Sequence, residues 1–157
     1  SRTIAQNIAI HDESIDENRI RQAARAACLD ETVMNFANGY DTVVGERGLT
    51  LSGGQKQRTA IARTLVKELP ILIFDDSLSA VDTETDARIR SAIAERFGRA
   101  TVILISHRIT TLSKADRILV LDHGCLAELG THEELRHAGG LYEQICAIQS
   151  GSEVVGI

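Results

Sequence analysis

The order of apolar and polar positions divides the chain into a helical first part and a mixed second part. Over the first 68 residues, apolar side chains recur three or four positions apart, which is the spacing of a helix face. This spacing predicts helices over about residues 14–29, 31–39 and 53–66. The first of them opens with Ser14 and Glu17 in capping-box form. We therefore expect residues 1–68 to form a helical subdomain.

After Pro70, short continuous apolar runs replace the helical pattern. Residues 71–74 (ILIF) and 101–105 (TVILI) are typical of strands that are buried on both faces of a parallel sheet. A polar helix is predicted between them, over about residues 82–97. Strand–helix–strand alternation indicates an α/β fold with a parallel sheet, and we expect it to occupy residues 69–149.

The last part of the chain adds smaller elements. Two apolar runs, 117–121 and 125–129, flank the sequence DHG at 122–124, which favours a hairpin turn. Two short helices are predicted near residues 131–137 and 140–149. Residues 150–157 lack such a pattern and are expected to form a frayed tail.

Charge and composition argue against several classes of function. Acidic residues outnumber basic ones by 22 to 17, so the chain has no broad positive field that would attract nucleic acid. The three cysteines form no CxxC pair, which favours buried, reduced thiols over a zinc site or disulfide framework. The apolar runs fall far short of the roughly 18 residues that suggest a membrane span. The N-terminus also has no signal-peptide pattern, so any membrane role is expected to run through another domain or chain.

The most informative segment is residues 51–55, with the sequence LSGGQ. Ser52 precedes a predicted helix and can cap it, while Gly53 and Gly54 allow a ligand to approach the backbone closely. The free amides at such a helix N-terminus form a ready site for an anion. The purely structural alternative is a capped helix start beside a glycine turn, which requires no ligand.

Three carboxylates and one histidine stand at the ends of predicted elements. Asp75 follows the first predicted strand, 20 residues after Gln55. Asp76 comes next, and Asp82 is placed to cap the following helix. His107 follows the second predicted strand. Each residue alone is consistent with a structural role, and only their order along the chain favours a functional one.

In this order, the segments resemble the ATPase domain of exporter-type ABC (ATP-binding-cassette) transporters. Residues 51–55 are similar to the signature motif of the family. The resemblance implies that this motif binds the γ-phosphate of ATP held by the opposite subunit, through Ser52, Gly53, Gly54 and Gln55. It also implies a fold made of the helical signature subdomain plus the C-terminal half of a P-loop NTPase parallel-sheet core. ATP and Mg²⁺ are the implied substrate and cofactor.

The other motifs carry further implied roles. Asp75 resembles the Walker B aspartate, which holds Mg²⁺, and Asp82 ends a segment that resembles the D-loop at the dimer interface. His107 resembles the catalytic H-loop histidine, which contacts the γ-phosphate. Glu46 lies in a segment that resembles the exporter X-loop, which couples the ATPase to transmembrane domains. The implied partners are a second ABC ATPase domain and transmembrane domains, at the cytoplasmic face of a membrane.

Asp76 departs from the pattern of the family. The family usually has a catalytic glutamate at this position, which polarises the attacking water, and aspartate is shorter by one methylene. The departure resembles the degenerate site of a heterodimeric ABC exporter, in which one of two ATP sites hydrolyses slowly or not at all. A non-identical partner is therefore expected. Sequence drift with retained activity is the alternative.

The sequence contains no GxxxxGK[ST] phosphate loop, whose lysine and amides hold ATP in such enzymes. By resemblance, the chain is expected to represent about the last two-thirds of an ATPase domain and to be inactive in isolation. The expected function is an ATP-hydrolysing module that powers a transporter. An ATPase of DNA repair or chromosome maintenance is one alternative, and the net charge of −5 argues against it. A catalytically weak regulatory nucleotide-binding domain is the other, and Asp76 keeps it open.

Overall fold

The structure is a computed structural model that describes residues 2–10, 12, 14–45, 49–67, 69–96, 98 and 100–151. The chain forms two compact units, Ser1–Ile105 and Ser106–Ile157, and each is described by itself. Both units contain helices and strands, so the predicted α/β class is confirmed. The domain boundaries expected after residues 68 and 149 remain predictions.

The helical part of the first unit lies before residue 68, where the sequence pattern predicts it. Its elements are β1 (Arg2–Thr3), α1 (Ile4–Ile8), α2 (Glu17–Ala26), α3 (Asp30–Met34), a 3₁₀ turn (Gly39–Asp41), β2 (Val43–Val44) and α4 (Gly53–Leu65). Strands β1 and β2 pair in antiparallel orientation. Helix α3 ends earlier than expected, and Gly39 instead takes a left-handed conformation (φ 48°) at the start of the 3₁₀ turn.

The start of α2 differs from the predicted capping box. Asp16 is the N-cap, and its carboxylate accepts a hydrogen bond from the Arg19 amide at 3.0 Å. Ser14 instead donates from its hydroxyl and its amide to the Asp12 carboxylate. An ionised carboxylate is a stronger acceptor than a hydroxyl, so the helix begins after Asp16. The prediction of a Ser14 cap is wrong.

Helices α2 and α4 pack against each other in the core of the first unit. Helix α2 contributes Ala23 and Ala24, which are fully buried and small enough to let the two helices approach closely. Helix α4 contributes Ile61 and Leu65, and burying each such side chain stabilises the fold by about 1.5–3 kcal/mol. This packing holds α4 firmly, and with it the segment that leads into its N-terminus.

The sheet of the first unit has two strands joined by a helix. These elements are β3 (Ile71–Asp75), α5 (Thr83–Arg96) and β4 (Thr101–Ile105). The strands are parallel, with Ile71 opposite Thr101 and Asp75 opposite Ile105. Because parallel strands need a crossover connection, α5 must return the chain to the starting edge of the sheet. The predicted parallel sheet is therefore confirmed.

The described residues of the first unit cover only one face of this sheet. Leu72 and Phe74 face the core and are 1% and 3% exposed, whereas Ile71 and Ile73 are 56% and 59% exposed. Ile105 on β4 is also exposed, at 49%. Successive strand residues point to opposite faces, and the helices of this unit lie on one of them. The prediction that both faces are buried is wrong for the described chain.

The second unit is built around a hairpin. Its elements are α6 (Ile109–Leu112), β5 (Ile118–Asp122), β6 (Cys125–Gly130), α7 (His132–Leu135) and α8 (Leu141–Gln149). Strands β5 and β6 are antiparallel, which confirms the predicted hairpin. His123 and Gly124 have φ values of 47° and 78°, and two successive positive values are what a two-residue type I′ turn requires. Ile118, Leu135 and Tyr142 form a small buried core beneath the hairpin.

Two further expectations concern cysteines and membrane spans. Cys28, Cys125 and Cys146 are all free thiols, as predicted. Cys28 and Cys146 are only partly buried and Cys125 is exposed on the hairpin, so the expectation of burial is wrong for Cys125 and is met only in part by the other two. Across the part of the chain that the structure describes, no helix has both the length and the apolar character needed to span a bilayer.

Candidate functional site

The N-terminus of α4 begins with a complete capping box. The Ser52 hydroxyl accepts a hydrogen bond from the Gln55 amide at 3.3 Å, which confirms the predicted cap. The Gln55 side-chain oxygen returns to accept one from the Ser52 amide at 2.9 Å. This second bond was not foreseen, although a glutamine three residues after a serine is its sequence signal. The box fixes the direction in which the chain enters the helix.

The two glycines of the motif have different surroundings. A Cβ atom added to Gly53 would meet nothing within 4 Å, so this position is open to a ligand. A Cβ atom added to Gly54 would lie 3.2 Å from the carbonyl oxygen of Ala80. The sequence analysis explained both glycines by the close approach of a ligand to the backbone. In the structure, Gly54 also makes room for a neighbouring segment of the same chain.

The start of α4 suits a negatively charged group. Ser52 and Gly53 are exposed, and the first turn of the helix contains no acidic residue. The first amides of a helix have no acceptor within the helix, and the helix dipole places partial positive charge there. Lys56 follows within the next turn and is exposed as well. This end of the helix can therefore bind an anion such as a phosphate.

Asp75 and Asp76 lie together at the C-terminal end of β3, and both are exposed. Asp76 has a left-handed backbone (φ 48°), which aspartate tolerates better than most residues. Its amide donates a hydrogen bond to the Ile105 carbonyl at 2.9 Å, and its carbonyl accepts one from the Ser79 amide at 3.2 Å. The backbone of Asp76 is therefore held on both sides while its carboxylate remains in solvent.

Asp82 caps α5, as the sequence predicts. Its carboxylate accepts hydrogen bonds from the Thr85 amide at 2.9 Å and from the Thr85 hydroxyl at 2.7 Å. These bonds, the amide bond first, hold the pKa of Asp82 below its usual value. The capping role is thus confirmed, and the role at a dimer interface remains a prediction.

The structure gives contacts to Gln57, a residue to which the sequence interpretation assigned no role. The Gln57 side chain accepts a hydrogen bond from the Ala80 amide at 2.9 Å and donates one to the Ser79 hydroxyl at 3.0 Å. Gln57 thereby connects α4 to the segment between Asp76 and Asp82. No local pattern signals these bonds, because the partners are 22 and 23 positions away in sequence.

His107 and Glu46 are the remaining predicted site residues. His107 belongs to the second unit, where its ring is exposed and its carbonyl accepts a hydrogen bond from the Gln149 side chain. Glu46 lies outside the described residues. The catalytic role of His107 and the coupling role of Glu46 therefore remain predictions.

A magnesium ion would find only part of its coordination sphere in this chain. The described residues contain no group of three or more histidine, cysteine, aspartate or glutamate side chains arranged to hold a metal. Protein-bound Mg²⁺ commonly takes one or two carboxylates, with phosphates and water as the remaining ligands. The exposed carboxylate of Asp75 fits that requirement. The donor set is thus compatible with Mg²⁺ carried by a nucleotide.

The first unit thus presents a helix start suited to an anion and carboxylates at the end of a parallel strand. The ABC transporter family matches residues 2–79. The chain belongs to this family and resembles its exporters, and its fold combines the helical signature subdomain with the C-terminal half of a P-loop NTPase core.

Individual relatives agree with this assignment. The chain is 46% identical over 150 residues to an ATP-dependent lipid A-core flippase of Cupriavidus pinatubonensis, covering 94% of this chain and 25% of that protein. It is 45% identical over 152 residues to ATP-binding cassette sub-family B member 6 of Xenopus tropicalis, covering 96% of this chain and 18% of that protein. A bacterial Atm1-family ABC exporter solved with ATP bound superimposes with a TM-score of 0.90 at 46% identity, covering 95% of this chain and 26% of that chain. The chain thus spans about a quarter or less of the length of these relatives.

Proposed function

We propose that this chain is part of an ATP-hydrolysing module that powers an ABC exporter. The observation that carries the proposal is the start of α4, where an exposed serine cap and an open glycine present free helix amides within the sequence LSGGQ. Such a helix start is suited to the terminal phosphate of a nucleotide. The relatives include proteins named as ATP-dependent flippases and an exporter solved with ATP bound.

In this proposal the signature segment acts on the ATP held by a second ATPase domain. Ser52, Gly53, Gly54 and Gln55 contact its γ-phosphate, while Asp75 serves the nucleotide of its own domain. Mg²⁺, when bound there with ATP, supplies positive charge that neutralises the phosphates. At the ATP held by the second domain, the partial positive charge of the α4 N-terminus stabilises the negative charge of the γ-phosphate.

Asp76 is proposed to make the chain's own ATP site weak. A general base must come within hydrogen-bond reach of the water that it activates, at about 2.6–3.2 Å. The Asp76 backbone is held by Ile105 and Ser79, so it does not readily advance to compensate for the missing methylene. The intact signature segment serves the partner's ATP site, whereas the shortened carboxylate of Asp76 serves the ATP site of this chain. We therefore infer a non-identical partner that carries a glutamate at this position.

We propose the remaining contacts from the resemblance of these segments to the family motifs. Asp82 lies at the interface with the second ATPase domain, His107 faces the γ-phosphate, and Glu46 contacts the transmembrane domains. The module works at the cytoplasmic face of a membrane, through transmembrane domains.

The proposal is tested by ATPase assays on the full-length protein with its partner. Ser52→Arg should lower turnover by at least about tenfold, because a bulky cation blocks the competent site. Gln22→Arg, on the exposed side of α2, is the matched control and should leave turnover unchanged. Normal turnover in Ser52→Arg would refute the role of the signature segment. Full ATP-driven transport by a purified homodimer would refute the inferred pairing.

A catalytically weak regulatory nucleotide-binding domain is the second candidate, and the shortened side chain at Asp76 favours it. Turnover of the unmodified complex separates the two, and substitutions of Asp76 test whether it is a working base. In a degenerate site of an active transporter, Asp76→Glu should raise turnover or leave it unchanged, and Asp76→Asn should cost little. If Asp76 is a working base, Asp76→Asn should instead lower ATP turnover by about 10²–10⁴-fold. A regulatory domain would show no turnover in the unmodified complex.

A further inference from the structure

Helix α4 and the segment that follows β3 touch at two places, and both lie within residues 54–57 of the helix. One is the close approach of Gly54 to the Ala80 carbonyl, where an added Cβ atom would lie at 3.2 Å. The other is the pair of hydrogen bonds at the Gln57 side chain, which donates to the Ser79 hydroxyl and accepts from the Ala80 amide. Two contacts about one helical turn apart fix both the distance and the orientation of the segment.

The chemistry of the Gln57 side chain suits it to hold the segment that contains Ser79 and Ala80. A carboxamide offers a donor and an acceptor on a rigid plane, and here each end has a different partner. Its oxygen accepts a hydrogen bond from the Ala80 amide at 2.9 Å, and its nitrogen donates one to the Ser79 hydroxyl at 3.0 Å. Ser79 and Ala80 are themselves exposed, so burial alone would not hold them in place.

We propose that Gln57 is a positioning residue for ATP hydrolysis, an inference that rests on the proposed function. It clamps Ser79 and Ala80 to the helix whose N-terminus carries the signature segment. The clamped residues lie between Asp76 and Asp82, so the clamp sets where both carboxylates stand relative to Ser52. The signature segment and the segment after β3 then move as one body when a second ATPase domain approaches.

Two substitutions separate this role from general stability. Gln57→Leu keeps a similar volume but removes both hydrogen bonds. Gln57→Glu keeps both, because its carboxylate accepts from the Ala80 amide and from the Ser79 hydroxyl, which can rotate to donate. Because Ser79 and Ala80 are exposed, water replaces the bonds lost in Gln57→Leu and little stability is lost. Gln22→Leu, at an exposed position on α2, is the matched control.

The first measurement is steady-state ATPase activity of the full-length protein with its partner. Gln57→Leu should lower kcat by about tenfold, with the KM for ATP unchanged within about twofold. Its thermal midpoint should stay within about 2 °C of the unmodified protein. Gln57→Glu should restore most of kcat, and Gln22→Leu should match the unmodified protein. Unchanged kcat in Gln57→Leu, or equal losses in Gln57→Leu and Gln57→Glu, would overturn the proposal.

The second measurement tests the contact of Gln57 with Ser79 and Ala80 by hydrogen exchange, independently of ATPase activity. Hydrogen exchange of a peptide covering residues 77–82 should speed up at the Ala80 amide by at least about threefold in Gln57→Leu and remain unchanged in Gln57→Glu. Equal exchange in all variants would overturn the clamp. If the unmodified protein hydrolyses no ATP, the proposed function is overturned, and with it the role of Gln57 in turnover. The exchange result then still decides whether Gln57 holds Ser79 and Ala80 in place.

Discussion

The signature serine has a structural role and a proposed functional one, and a second capping box in the same chain allows the two to be separated. Ser52 caps α4 with Gln55 at the third helical position, and Thr3 caps α1 with Gln6 at the same position. The two boxes have nearly the same geometry, with amide-to-hydroxyl distances of 3.3 Å at Ser52 and 3.1 Å at Thr3. Thr3 has no proposed contact with nucleotide and is therefore the matched control.

The cost of removing each hydroxyl can be worked from the structure. Ser52→Ala deletes one neutral hydrogen bond to the Gln55 amide and leaves the return bond from the Gln55 side chain intact. The loss of such a cap lowers the free energy of unfolding by typically ~1 kcal/mol. We expect the same loss from Thr3→Ala, and a fall in thermal midpoint of about 2–4 °C for each.

ATPase activity should distinguish the two variants. In the full-length protein, Thr3→Ala should keep turnover within about twofold of the unmodified protein. Ser52→Ala should lower it by about tenfold or more, because the lost hydroxyl no longer reaches the phosphate in the transition state. Turnover and thermal midpoint are measured on the same preparations. Equal turnover in the two variants at equal stability would show that Ser52 is only a helix cap.

Three further predictions concern ATP binding and stability. The isolated 157-residue chain should not bind Mg-ATP at micromolar concentration, because it has no phosphate loop, and calorimetric titration measures this directly. Ile89→Ala should lower the free energy of unfolding by about 2–5 kcal/mol because Ile89 is fully buried, while exposed Ile71→Ala should cost far less in the same denaturant titration. Gly140→Ala should lower the free energy of unfolding by about 1–2 kcal/mol. The new Cβ atom would lie 2.5 Å from the Glu128 carboxylate, which accepts a hydrogen bond from the Tyr142 amide. That cost should vanish in a Glu128→Ala background, and persistence of the full cost there would exclude the proposed clash.

Much of the local structure could be predicted because it depends on neighbouring residues. The strand at Thr101–Ile105, the α4 helix and the β5–β6 hairpin each follow from a short pattern with a local physical cause. Asp82 is another case, since a helix cap needs only an acceptor at the right position before the helix. The failure at Ser14 has a local cause as well, because two residues within three positions could each cap α2 and the carboxylate of Asp16 did so.

The sequence by itself determined which family the chain resembles and which residues are candidates to bind a phosphate, because these depend on residue identity and on order along the chain. The tertiary structure decided what surrounds them. It assigned Gly54 a neighbour at Ala80, gave Gln57 partners 22 and 23 positions away, and left Ile71 exposed on an uncovered sheet face. Contacts at such separations depend on how packed elements meet in space. No periodicity within a single helix or strand encodes them.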